Sequence, residues 1–229
     1  MNKQIYYHFL PPDCAIDDLK KGKIKVSTLR SLNDPFEMVP YLRHKGVEGR
    51  RPYNKIRKEI SKKYGLLCFS QNWQEPLLWS HYADKHKGIA IGFELLKDEV
   101  LKVEYTSNLR KQIILTENSE INESLFLDLA KVKYKKWEYE NEYRILVKLT
   151  ECKEIEEFFF APFNNRLKVK EIILGCKFDH EKKRENIIKL ASFYDAKITP
   201  TRLGWGDYKI HRCGYKTKKY EEFYKLMLI

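Results

Sequence analysis

Residues 4–28 read Gln4-Ile5-Tyr6-Tyr7-His8-Phe9-Leu10, then Pro11-Pro12-Asp13, then a short run to Lys20-Lys21-Gly22, then Lys23-Ile24-Lys25-Val26-Ser27-Thr28. The first seven alternate and are rich in Tyr, Ile and Phe, which predicts a strand from Gln4 to Leu10. Pro11-Pro12 breaks it. Asp13 is placed to cap a short helix running to Lys21, with Gly22 as its stop. Lys23 to Thr28 alternates again, with Ile24 and Val26 on one face, and predicts a second strand. A strand, a short helix and a strand at the start point to a mixed α and β architecture.

The pattern continues outward from there. Leu32-Asn33-Asp34-Pro35-Phe36-Glu37 reads as a turn. Tyr53, Ile56, Ile60 and Tyr64 recur at helical spacing between basic residues. Strands are expected at Leu66–Gln71, Gly88–Glu94, Val100–Thr106, Tyr143–Leu149, Phe158–Phe163, Val169–Gly175, Lys197–Thr201 and Tyr208–Cys213. Helices are expected at Glu75–Lys85, at Ser119–Trp137 (the longest), after Asp179 to Tyr194, and at Thr217–Leu228. The expectation is one α+β domain over residues 1–229, a bent, mostly antiparallel sheet with inserted helices. The motif-bearing core covers about residues 5–178. Residues 179–229 add a helix–strand–strand–helix extension.

Composition excludes several classes. With 43% hydrophobic residues, 31 of them Phe, Trp or Tyr, the chain is not disordered, and 10 Gly and 8 Pro are too few for low complexity. No run approaches the roughly 18 apolar residues that span a bilayer. The start carries no signal-peptide core. Five scattered Cys read as reduced thiols, so a cytoplasmic location is expected. A metal is not expected: there is no Cys-x-x-Cys, and His81 and His86 are not at the four-residue spacing that puts two ligands on one helix face. The net charge of +12 is clustered. Residues 40–64 hold nine Lys/Arg against two acids, and Lys168 to the end holds fifteen against eight. Such clusters suit a polyanion, with nucleic acid meeting Arg43–Lys63 and the C-terminal basic residues. They also suit a merely well-solvated surface.

Three segments carry chemistry. His8 sits mid-strand, either as a satisfied core residue or as a neutral donor to a ligand. Trp79-Ser80-His81-Tyr82 packs polar rings densely, for stacking or for a packed helix. Glu138, Glu140, Glu142 and Arg144 share one face if their segment is extended, so the carboxylates need a cation or a hydroxyl partner.

Together, His8-Phe9, Leu32-Asn33-Asp34-Pro35-Phe36-Glu37, Cys68-Phe69-Ser70, the Trp79-to-Gly88 block (WSHYA-x-x-HKG), Glu140-x-Glu142-Tyr143-Arg144 and Glu171-Ile172-Ile173-Leu174-Gly175 resemble a bacterial domain family of unknown function. The opening, a strand ending in Tyr7-His8-Phe9 before a short helix and Lys21-Gly22-Lys23-Ile24, is also distantly similar to DarT-type ADP-ribosyltransferases and RNA 2′-phosphotransferases. That resemblance implies an ADP-ribosyltransferase-like fold and NAD as cofactor. It implies that His8 contacts the ribose, Tyr82 packs on nicotinamide, Glu142 holds the ribose 2′-hydroxyl and Arg30 faces pyrophosphate. Trp79, His81, Asn33 and Arg144 complete the expected cofactor set, with Glu142, His8 and Tyr82 as the catalytic group. The implied function is ADP-ribosyl transfer to a nucleic acid or protein, in a defence or toxin-like setting. The residues leave two other readings open: a non-catalytic nucleic-acid-binding module, and a metal-independent nuclease or phosphotransferase.

Overall fold

The structure is a computed structural model that describes residues 2–29, 31–37, 47–109 and 123–227, with side chains for all of these except 47–53, 123 and 226–227. In chain order the elements are β1 (Lys3–Leu10), α1 (Pro12–Lys21), β2 (Lys23–Val26), α2 (Val47–Lys63), β3 (Tyr64–Ser70), α3 (Pro76–Tyr82) and β4 (Ile89–Leu96). Then follow β5 (Leu101–Lys102), β6 (Glu104–Thr106), α4 (Glu123–Ala130), β7 (Val132–Tyr134), β8 (Glu142–Lys148), β9 (Lys153–Ile155) and β10 (Phe158–Pro162). The chain closes with β11 (Lys168–Leu174), α5 (His180–Tyr194), β12 (Lys197–Leu203), β13 (Ile210–Arg212) and α6 (Gly214–Met227). The class is α+β with mostly antiparallel pairing, as expected. Among the described residues no helix is long and apolar enough to cross a membrane.

Contacts divide the chain into two compact units. Unit one is Met1–Ile24, Phe69–Glu99 and Pro162–Ile229; unit two is Lys25–Cys68 and Val100–Ala161.

In unit one the strand order is β13-β12-β11-β4-β1, with Tyr7 of β1 opposite Ser70 at the end of β3. β1 and β4 pair antiparallel over their full length, Lys3 with Leu96 to Leu10 with Ile89. β11 and β12 run parallel, with α5 as the crossover between them. Tyr7, Phe9, Trp73, Leu78, Trp79, Ala90, Ile173 and Ile210 form the core. α1 buries Ala15, Ile16 and Leu19, and Gly22, left-handed at φ 60°, ends it as expected. Its N-cap differs: Pro11 occupies the cap with no side-chain bond, and Asp13 falls in the first turn. There its charge still suits the helix dipole. Asp179 does cap α5, accepting from the Lys182 N–H at 3.1 Å.

Two glycines of the sequence motifs are set by close backbone approach. A Cβ on Gly88 would lie 2.2 Å from Leu10 O, and one on Gly175 would lie 2.2 Å from His86 O. Gly175 N–H donates to Gly88 O at 3.0 Å and Lys177 N–H to His86 O at 3.0 Å. The His86-Lys87-Gly88 turn is thereby sewn to the end of β11.

In unit two, β3, β8 and β5 are neighbours in that order. Ile56 and Ile60 of α2 pack with Leu66 and with Phe126, Leu129 and Ala130 of α4. The long helix expected at 119–137 is corrected. α4 ends at Ala130, Val132-Lys133-Tyr134 pairs as β7 in parallel with β6, and Lys135–Glu140 is a 3-10 turn. Residues 119–122 lie outside the described residues. Val132 and Tyr134 are better strand than helix formers, and β7 delivers Lys133 to a buried position. The shared carboxylate face is corrected for the same reason. Glu138 and Glu140 belong to the 3-10 turn, Asn141 breaks the chain at φ 42°, and only then does Glu142 open β8.

Candidate functional site

Unit two holds a buried cluster of five charged side chains. Lys133 Nζ lies 2.5 Å from Glu140 Oε2, 3.0 Å from Glu142 Oε2 and 3.1 Å from Glu37 Oε1. Arg144 Nε donates to Glu142 Oε1 at 2.7 Å and Nη2 to Glu142 Oε2 at 2.9 Å. The same Nη2 reaches both oxygens of Glu37, and Nη1 donates to Ala130 O at 2.7 Å. All five residues are at most 5% exposed. Ions this deep lose several kcal/mol of hydration each, roughly, and persist only when paired and hydrogen-bonded on all sides. Among the described residues, three carboxyl groups meet two cations here.

Local structure explains each member. In the Asn33–Glu37 turn, Asp34 Oδ1 accepts from the Phe36 N–H at 2.9 Å, and Asp34 O accepts from the Glu37 N–H at 2.9 Å. That Asx-type turn leaves Phe36 exposed and sends Glu37 inward. Arg57 Nη2 donates to Glu37 O at 3.3 Å. The Glu142 N–H donates to the Tyr105 hydroxyl at 2.8 Å, and the Trp137 ring lies 5.0 Å from Lys133 Nζ.

The charges settle one another. Burial alone pushes the Glu142 carboxyl up, but Arg144 and then Lys133 outweigh it and hold it down at about 2. Burial pulls Arg144 and Lys133 down, and the surrounding carboxylates, Glu142 foremost, leave both well above their ordinary values. Burial, then Glu142, raises the Cys68 thiol well above its usual value, which disfavours the thiolate.

The other sequence-predicted residues are placed as follows. Asn33 is exposed on the turn in unit two. Arg30 lies outside the described residues, as do residues 43–46 of the basic cluster. His8, Trp79, His81 and Tyr82 belong to unit one. His8 is half-buried in β1 opposite Ile91, edge-on to Phe69 with centroids 5.9 Å apart. Tyr82 is half-buried against the core and His81 is exposed, their rings 6.1 Å apart. Trp79 is fully buried, edge-on to Phe9, and its Nε1 donates to Trp73 O at 2.7 Å. Trp79 packs in the core, the packed-helix reading of this block. Truncating such a ring to Ala costs about 3–5 kcal/mol.

Sequence reasoning missed Glu37 and Lys133. Glu37 had a signal, as the last residue of the quoted turn motif. Lys133 had none, since it stood within an expected helix. Also unassigned was the Ser80–His86 contact, Ser80 Oγ to His86 Nε2 at 3.1 Å. It closes a turn in which Asp84, Lys85 and His86 all have positive φ. Among the described residues no group of three or more His, Cys, Asp or Glu is arranged to hold a metal.

Residues 78–145 match the model of a family described as Protein of unknown function (DUF2971). The matched stretch runs from Leu78 in α3 to Ile145 in β8. It carries four of the five cluster residues; Glu37 lies outside it, and so does His8. Over these residues the chain is similar to an uncharacterised family. No curated protein and no solved structure matches the chain.

Proposed function

We propose that this protein is a NAD-using, ADP-ribosyltransferase-like enzyme that acts on a nucleic acid or protein acceptor, with Glu142 as the ribose-engaging carboxylate. The observation that carries the reading is the ionised, oriented Glu142 at the opening of β8, held by Arg144 and Lys133. Strongly shifted carboxylates held by specific partners gather at functional sites. Each carboxylate oxygen accepts two hydrogen bonds. Oε1 accepts from Arg144 Nε, and a ribose hydroxyl takes its second acceptor position once the cover over this buried carboxylate opens.

NAD supplies the scissile bond between nicotinamide and ribose. As that bond breaks, positive charge grows on the ribose, and a fixed carboxylate in a dry setting stabilises it without reorganising. Arg144 and Lys133 keep Glu142 ionised and fix its plane; they are positioning residues. The distant DarT-type resemblance also implies roles for His8 and Tyr82, which lie in unit one, and each is tested by its own variant.

The test is NAD consumption by the purified chain, with and without oligonucleotide or protein acceptors. Glu142→Gln keeps the shape and is expected to lower turnover by about 10²-fold or more, with the circular dichroism spectrum unchanged at a temperature where the variant is folded. His8→Ala and Tyr82→Ala are expected to raise the NAD requirement. No NAD binding and no turnover by the wild-type chain overturns the reading.

A further inference from the structure

The loop between β12 and β13 holds two rings almost entirely in water. Trp205 is 90% exposed and Tyr208 98% exposed, with Leu203 beside them at 57%. Large rings are normally kept from solvent, and isolated exposure of one would need no account. Two on a six-residue connection, flanked by cations, do.

The loop is well defined. Gly204 N–H donates to Lys209 O at 2.8 Å, closing the hairpin. His211 Nε2 meets Asp207 Oδ1 at 2.8 Å, so the acidic side chain of the loop is engaged within it. At its base Ile210 is buried in the core, and its N–H donates to Gln74 O at 2.9 Å. Arg202 donates from Nη1 to Leu203 O at 2.9 Å, and its guanidinium lies 4.3 Å from the Trp205 ring centre. The rings therefore project from a pinned hairpin.

Cations outnumber acids around the loop, and its one carboxylate, Asp207, is engaged by His211. Arg202 lies against the Trp205 ring, Lys209 follows Tyr208 in sequence, and α6 follows the hairpin with Lys216, Lys218 and Lys219. Lys219 Nζ lies 4.8 Å from the ring of Tyr215, itself 69% exposed. Exposed rings that stack on bases, joined to cations that follow a phosphate backbone, are how proteins grip single strands without reading sequence.

We propose that the β12–β13 hairpin is a binding site for single-stranded nucleic acid, with Trp205 and Tyr208 stacking on bases and Arg202 and Lys209 meeting phosphates. A duplex keeps its base faces stacked on one another and does not offer them to these rings. The proposal does not depend on NAD chemistry, because it uses neither Glu142 nor His8.

The test is fluorescence anisotropy of the full chain with labelled 12-mers of dT and of rU, one arm for DNA and one for RNA, and with a duplex of equal length. Binding to at least one single strand is expected, weakening with salt. Trp205→Ala and Tyr208→Ala are each expected to weaken it about tenfold while leaving the melting temperature unchanged. Lys209→Gln is expected to lower the salt slope by about one. Unaltered affinity in Trp205→Ala overturns the proposal. So does duplex binding equal to single-strand binding. Capture by phosphatidylcholine–phosphatidylserine vesicles in place of oligonucleotide, or self-association relieved by Trp205→Ala, overturns it too.

Discussion

Arg144 Nη2 donates to both carboxylate oxygens of Glu37, at 2.9 and 3.0 Å, joining residues 107 positions apart. The contact ties the Asn33–Glu37 turn to the strand that carries Glu142. Two of the motifs recognised in the sequence thus meet in one buried ion cluster. Lys133 bridges the same Glu37 to Glu140 and Glu142.

Removing a cation from this cluster leaves buried carboxylates facing one another. Arg144→Met is expected to destabilise unit two by about 3–5 kcal/mol, the range for breaking a buried pair from one side. Lys133→Met acts in the same direction. Glu37→Gln costs less, because it removes a carboxylate without leaving a cation-free one behind and keeps an oxygen for Arg144. Urea denaturation followed by circular dichroism gives the order, and a Glu37→Gln protein less stable than Arg144→Met contradicts it.

Acid acts in two steps. Burial, then Lys216 and Arg184, lowers the His180 imidazole to about 4 from its ordinary 6.5. The fold therefore holds His180 neutral, and this stability is present above pH 6.5 and lost as pH falls toward 4. Glu142, held at about 2 against an ordinary 4.5, contributes stability that is present above pH 4.5 and lost as pH falls toward 2. Urea midpoints measured across pH should fall over both windows. His180→Asn should flatten the upper window and Glu142→Gln the lower.

Gly88→Ala would place a methyl group 2.2 Å from Leu10 O and 2.8 Å from Ala83 Cα. Both are backbone and cannot turn aside, so the cost is expected at about 1–3 kcal/mol. Gly206→Ala is the control, since nothing lies within 4 Å of a Cβ there. Thermal melts should show a clear loss for the first and none for the second.

Much of the fold was legible because its signals are local. Alternation marked β1 and β2, Gly22 marked the end of α1, and Asp179 marked the start of α5. Each reflects a residue's effect on its own backbone. The region 123–142 was misread because its decisive partners are distant. A lysine on a strand is ordinarily solvated, and Lys133 is buried only because Glu37, Glu140 and Glu142 converge on it. Trp79 was ambiguous for a similar reason. A Trp in a polar-ring block faces ligand or core according to what lies beneath it, here Phe9 and the Trp73 carbonyl.

The candidate carboxylate was named from the sequence, while its surroundings were not. The chain's own order of residues determined an α+β fold, the strand that carries Glu142, and clustered positive charge. Tertiary structure alone decided that Glu142 is ionised within a buried five-member cluster, and that Trp205 and Tyr208 stand in water on a pinned hairpin. Propensity and periodicity act over a few residues. Ionisation and exposure depend on groups that only folding brings near, or leaves bare.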